Sequence, residues 1–127
     1  PRVDKVAEGT LIAMAWLRVG DNRIPLEVAD GVRSRARGLL GRSGIEHALL
    51  LSPATSVHTI GMRFAIDVAF LDGENQVVTT RTMPPHRVGR PVWSARRVIE
   101  AEAGQFEHWG LGVGAAVGID LSDSAAA

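Results

Sequence analysis

The chain has 127 residues, 46% hydrophobic and 22% charged, with 14 basic residues balancing 14 acidic ones. That length suits one domain with a real core, and the zero net charge offers no general attraction for nucleic acid or an acidic membrane surface. The absence of cysteine excludes disulfides, thiolate nucleophiles, zinc fingers and iron–sulfur clusters, and no apolar run is long enough to span a bilayer as a helix.

In chain order, the first predicted elements are strands over 10–19 and 23–29, joined by the turn signal Gly20-Asp21-Asn22. The apolar run Leu11–Leu17 follows an acid-containing stretch and meets that turn, which is the wrong setting for a signal peptide. With Pro1 as first residue, the expectation is a cytoplasmic protein or an exported one whose leader has been removed. Asp30 is placed to cap a short helix, with Val32, Ala36, Leu39 and Leu40 forming one apolar stripe that Gly41 and Gly44 end. Arg37 borders that stripe and is the candidate inward partner for a buried acid. Ala48–Leu51 reads as a short buried strand stopped by Ser52-Pro53.

The run from His58 to Leu71 carries His58, Arg63 and Asp67 in and beside a stretch apolar enough to be a central strand. Period-2 alternation puts Ile66, Val68 and Phe70 on one face and Ala65, Asp67, Ala69 and Leu71 on the other. A carboxylate in such a strand needs a partner, because burying it unpaired costs several kcal/mol. The candidates are an arginine (Arg63 or Arg37), backbone N–H groups, or a ligand admitted by the small neighbours Ala65 and Ala69.

The turn Asp72–Asn75 and a return strand over Gln76–Met83 complete a predicted hairpin. Three prolines and a glycine make residues 84–95 a loop, long enough to be functional or mobile. Val98–Ala103 and Ala115–Leu121 read as strands, and Gly104–Trp109 as one helical turn. The predicted fold is α+β: a mostly antiparallel β sandwich or partial barrel with one or two short helices. It forms a single domain over 1–121 with a frayed tail at 122–127.

His86 and Arg87 sit in the proline-rich loop, where a pocket lip is plausible. No closely spaced histidine pair is present, so no metal site and no cofactor are expected. Glu100 reads either as part of a solvated strand face or as half of a buried pair with arginine. His47 and His108 read as exposed. No Gly-x-Ser-x-Gly elbow or dinucleotide-binding loop occurs.

Arg35–Leu40, Gly61–Asp72 and Val98–Gly104, in that order and spacing, resemble the DUF192 (UPF0127) family over about residues 24–121. The resemblance implies a compact, β-rich α+β domain found in bacteria and archaea, often secreted or membrane-tethered in Gram-negative members, with no established activity. Its motif positions here are Arg37, Gly38, Leu39, Met62, Arg63, Asp67, Glu100 and Gly104. The chain departs from the family in having Ile60-Gly61 where many relatives carry an aromatic pair, and Gly114-Ala115 where Gly-Asp is common.

The leading expectation is a non-catalytic binding domain for a polar or anionic small molecule or a peptide. Its candidate ligand-binding residues are Arg37, His58, Arg63, Asp67, His86, Arg87 and Glu100. One alternative is an acid–base hydrolase using Asp67 with His58 or Glu100, so catalysis is left open. The other is an interaction module of a cell-envelope or secretion system that docks through loop 84–95. Nucleic acid is not an expected partner.

Overall fold

A computed structural model describes residues 3–7, 10–29 and 38–121. Its strands are β1 (Val3–Ala7), β2 (Thr10–Val19), β3 (Asn22–Ala29), β4 (Ala48–Leu51), β5 (Ile66–Leu71), β6 (Val77–Met83), β7 (Arg97–Glu102) and β8 (Gly118–Leu121). One short helix, α1 (Gln105–Trp109), lies between β7 and β8. No helix among the described residues is long and apolar enough to cross a membrane. The predicted helix after Asp30 and its residue Arg37 fall largely outside the described residues.

All strands belong to one connected sheet with the order β1-β2-β3-β4-β7-β5-β6, and β8 pairs with β2. Every pair is antiparallel except β3–β4. The sandwich expectation gives way to a single mixed sheet that is not closed into a barrel. Residues 115–121 make a partial link between its ends: Ala116 bridges to Gln76 just before β6, and Leu121 through Gly118 pair with Ala15 through Arg18 of β2. The strand β1 went unpredicted, since Val3-Asp4-Lys5-Val6-Ala7 is short and carries two charges.

The two faces of the sheet explain why β5 is buried along its whole length. On the first face, Ala69, Leu71, Ile99 and Ala101 join Leu17, Leu26, Leu50, Phe106 and Leu111 in one core. On the second, Ile66, Val68, Phe70 and Val98 join Leu39, Leu49, Met62 and Met83 in another. The predicted alternation is therefore correct, and both faces are core. The β5–β6 hairpin closes through Asp72, whose Oδ1 accepts the N–H groups of Glu74 (2.8 Å) and Gln76 (3.0 Å).

Phe70 is fully buried at the centre of the second core. Phe70→Ala removes its ring from a close-packed site and is expected to cost about 3–5 kcal/mol. Urea denaturation followed by circular dichroism measures that loss.

Candidate functional site

Asp67 sits on β5 facing the first core, with the residue 6% exposed. Both of its oxygens are engaged. Oδ1 accepts the Thr82 hydroxyl (2.8 Å), and Oδ2 accepts the N–H groups of Gly104 (2.9 Å) and Phe106 (3.2 Å). The geometry follows from the register, which places Thr82 of β6 directly opposite Asp67. On the other side, β7 ends at Glu102 and the chain turns into α1 at Gly104, whose φ of 97° lies in the left-handed region that suits glycine. Gly104 has no side chain to cap α1, so the carboxylate of a neighbouring strand supplies the acceptor for its first N–H groups. Of the partners open in the sequence, backbone N–H groups are the ones found. No described arginine reaches Asp67.

Beside Asp67 opens a cleft of about 390 Å³, lined by Asp67, Thr80, Arg81, Thr82, Gly104, Phe106, Glu107 and Leu111. Thr80 and Thr82 share the face of Asp67, whereas Arg81 alternates to the other face, its guanidinium 4.9 Å from the Phe70 ring and donating to the Arg90 carbonyl (2.8 Å). The side chains turned to the cleft are thus carboxylates, hydroxyls and apolar groups, without a cation among the described residues. Thr80, Thr82 and Glu107 are polar contributors that sequence reasoning missed, although the alternation of the two threonines with Arg81 was readable once the hairpin was placed.

Glu100 lies on the opposite face. The register sets Val68, not Asp67, against Glu100, while Asp67 faces Ala101. The sheet therefore separates the two carboxylates, and the Asp67–Glu100 acid–base pair of the hydrolase reading does not form. His58 does not pair with Asp67 either: it is exposed, bridges to Val88, and its Nδ1 accepts the N–H of Ile60 (3.2 Å). His86 is likewise exposed and its Nδ1 accepts the N–H of Gly61 (3.2 Å). Arg63 and Arg87 are exposed, and Arg63 lies before β5 rather than on the Asp67 face. The expected constellation is split. Asp67 lines the cleft, Glu100 is buried behind the sheet, and His58, His86 and Arg87 belong to loops 54–63 and 84–95.

A second cluster was not anticipated. Glu27 of β3 is completely buried and is held by Arg42 through two bonds (2.9 and 2.8 Å) and by His47. His47 is half-buried, against the expectation of an exposed residue. Burial pushes the Glu27 carboxyl up, but the hydrogen bonds from Arg42 and His47 outweigh it and hold the pKa at about 2. Leu49 pairs with Glu27 on one side and Glu100 on the other, so the two acids flank it on one face. Burial raises the Glu100 pKa to about 7, with Arg42 pulling weakly the other way. Arg42 thus serves Glu27 first, and Glu100 is half of no bidentate pair with it.

This is a small β-rich domain with a polar cleft at a helix start and charged groups inside a doubly covered sheet. The chain belongs to the DUF192 family, whose model, described as "Uncharacterized ACR", matches residues 15–119. It is similar to a UPF0127 protein of Thermococcus gammatolerans, 38% identical over 85 residues that span 62% of this chain and 56% of that protein. A UPF0127 protein of Pyrococcus furiosus is 32% identical over 97 residues, covering 72% of this chain and 84% of its own. Among solved structures, a protein of unknown function from Novosphingobium aromaticivorans superposes with a TM-score of 0.73 at 17% identity, covering 90% of this chain and 91% of that one. A putative transcription regulator from Sinorhizobium meliloti does so with the same TM-score and identity over 85% and 93%. At that identity the likeness is one of fold.

Two outcomes follow. Asp67→Ala leaves the buried Phe106 N–H without a partner, at about 1–3 kcal/mol, and gives up the bonds from the Gly104 N–H and the Thr82 hydroxyl, worth about 1 kcal/mol each. A loss of about 3 kcal/mol in urea denaturation is expected, with Asp67→Asn losing less because it keeps an acceptor oxygen. The second outcome concerns pH. Glu27 has a folded pKa below its ordinary 4.5, so its contribution is present above that value and is lost as pH falls toward 2. Glu100 has a raised folded pKa, so stability falls as pH climbs from 4.5 to about 7, where the unfolded chain has released a proton the folded one retains. Urea midpoints against pH should therefore peak between the two windows. Glu100→Gln should flatten the upper limb and leave the acid limb in place.

Proposed function

We propose that this domain is a non-catalytic binding module whose cleft beside Asp67 takes a small ligand rich in hydrogen-bond donors, such as an amine, a guanidine or a polyol. The carrying observation is the direction of the Thr82–Asp67 bond. Thr82 spends its only proton on the carboxylate, which leaves the hydroxyl oxygen as an acceptor toward the cleft. Glu107, exposed on the first turn of α1, adds a carboxylate at the rim. Thr80 adds a hydroxyl on the same face as Asp67, while Phe106 and Leu111 give an apolar wall. An acceptor-rich lining favours a donor-rich ligand, and a cationic one most of all.

This reading narrows the polar or anionic ligand expected from sequence. An anion would meet two carboxylates here, and the nearest arginine of the lining turns its charge to the other face. Binding is favoured over catalysis because the oxygens of Asp67 already accept three hydrogen bonds, all from groups that hold the fold together. Taking a substrate proton would compete with those bonds for the same carboxylate.

The test is a panel of amines, guanidines, polyols and carboxylates followed by ¹H–¹⁵N chemical-shift mapping. Amines and guanidines should move the amide signals of Thr80, Thr82, Gly104 and Glu107, and Glu107→Gln and Thr80→Val should weaken them while the urea midpoint holds. Perturbation by the carboxylates instead, or by no compound, would overturn the proposal.

A further inference from the structure

Opposite in character to the cleft is the surface made by residues 54–63 and 84–96. Loop 84–95 is tied down along its length. Thr59 N–H donates to the Arg87 carbonyl (2.7 Å), His86 N–H to Thr59 (2.8 Å), Gly89 N–H to Val57 (2.9 Å), Val92 N–H to Thr55 (2.8 Å), and Ala54 N–H to Arg96 (3.0 Å). The buried Thr59 hydroxyl adds a bond to the Pro84 carbonyl (2.6 Å). At Gly89 a Cβ would come within 2.8 Å of the Val57 carbonyl oxygen, so the two segments are in close backbone contact. These segments form an irregular two-stranded ribbon with an inward side (Val57, Thr59) that is buried.

The two segments also leave large apolar groups in water. Val88 is 73% exposed, Trp93 81% and Ile60 52%. Between Asn75 and Ile99 the chain has five arginines and no acidic residue. Three of the five donate internally: Arg81 to the Arg90 carbonyl, Arg97 to the Asn75 side chain, and Arg87, at the long distances of 3.5 and 3.4 Å, to the carbonyls of its neighbours Pro85 and His86. Arg87 and Arg90 are exposed, and no described carboxylate pairs with either. Tryptophan and arginine are, with tyrosine, the residue types most enriched at the hot spots of protein interfaces, and this surface exposes both.

We infer that this ribbon docks an acidic segment of a protein partner, one that carries an apolar side chain among its carboxylates. The arginine guanidinium groups meet carboxylates in pairs of parallel bonds, which the compact ammonium of lysine does not do. The exposed apolar groups are few and interspersed with arginine on a pinned backbone, whereas a membrane-lying surface presents a continuous apolar face. Because the backbone is already ordered, docking incurs little loss of loop freedom.

Selection of a random dodecapeptide display library on the intact domain tests this. Wild-type protein should enrich peptides with several Asp or Glu residues and a large apolar side chain. A synthetic peptide of the enriched sequence should bind more weakly as salt rises, and about tenfold or more weakly to Trp93→Ala and to the double variant Arg87→Gln/Arg90→Gln. Both variants change exposed side chains, and unchanged urea midpoints verify that they fold. Enrichment of neutral or basic peptides, equal binding to the variants, or no enrichment would overturn the inference. So would binding to phosphatidylglycerol vesicles, but not phosphatidylcholine ones, in the absence of peptide binding, which would make the surface a lipid-binding one.

Discussion

A sheet covered on both faces gives its polar side chains no water, so each acid it carries must be answered inside the protein. Among the described residues three acids lie in that position, and each meets the constraint differently. Glu27 is matched charge for charge, with the fork of Arg42 on both of its oxygens and His47 alongside. Asp67 is matched by dipoles: a hydroxyl and two backbone N–H groups at the start of α1. Glu100, whose neighbouring arginine is committed elsewhere, is answered by taking up a proton more readily than an ordinary carboxyl does. The three solutions differ in what they leave behind. A bidentate pair is closed to further chemistry, Glu100 is sealed behind the sheet, and of the three only the dipole-matched acid sits at an opening.

The opening is a consequence of the capping. Because Gly104 offers no side chain to α1, the helix start must lie against β5, which brings Gly104, Phe106 and Glu107 beside the hydroxyls of β6. The same contact builds the fold and forms one wall of the cleft. A structural role for Asp67 is thus not an alternative to a functional one, since the residue that holds the wall also fixes which way the Thr82 hydroxyl points.

Much of the frame was legible from the sequence because strand periodicity and turn chemistry are local. The hairpin around Asp72, the Ala48–Leu51 strand and the alternation of Ile66, Val68 and Phe70 all follow from residues within a few positions of one another. The Asp67 site was legible only as a need for partners. Its partners lie 15, 37 and 39 residues away, and no local pattern connects them. The Glu27–Arg42–His47 cluster was hidden for the opposite reason: in a stretch reading Ile24-Pro-Leu-Glu-Val28 the acid looks like the solvated half of an alternating strand. The parallel pairing of β3 with β4, a long-range feature, is what buries it. Parity also decided against the Asp67–Glu100 pair, because one residue of register between Val68 and Asp67 puts Glu100 behind the sheet.

Of the seven residues singled out from sequence, Arg37 lies outside the described residues, and of the six described ones only Asp67 lines the cleft. The acidic member of the cleft, Asp67, and the exposed basic members, Arg63 and Arg87, serve surfaces of opposite charge preference. Zero net charge conceals this, for the total of 14 against 14 is reached by segregation: residues 75–99 hold no acid at all, while the cleft lining offers carboxylates and hydroxyls. With a Debye length of about 8 Å at physiological salt, each surface is felt by a partner at close range and not as part of a neutral whole. Under the two proposals, a donor-rich small ligand and an acidic protein segment would be sorted to different places on a domain this small, without either competing for the other's charges.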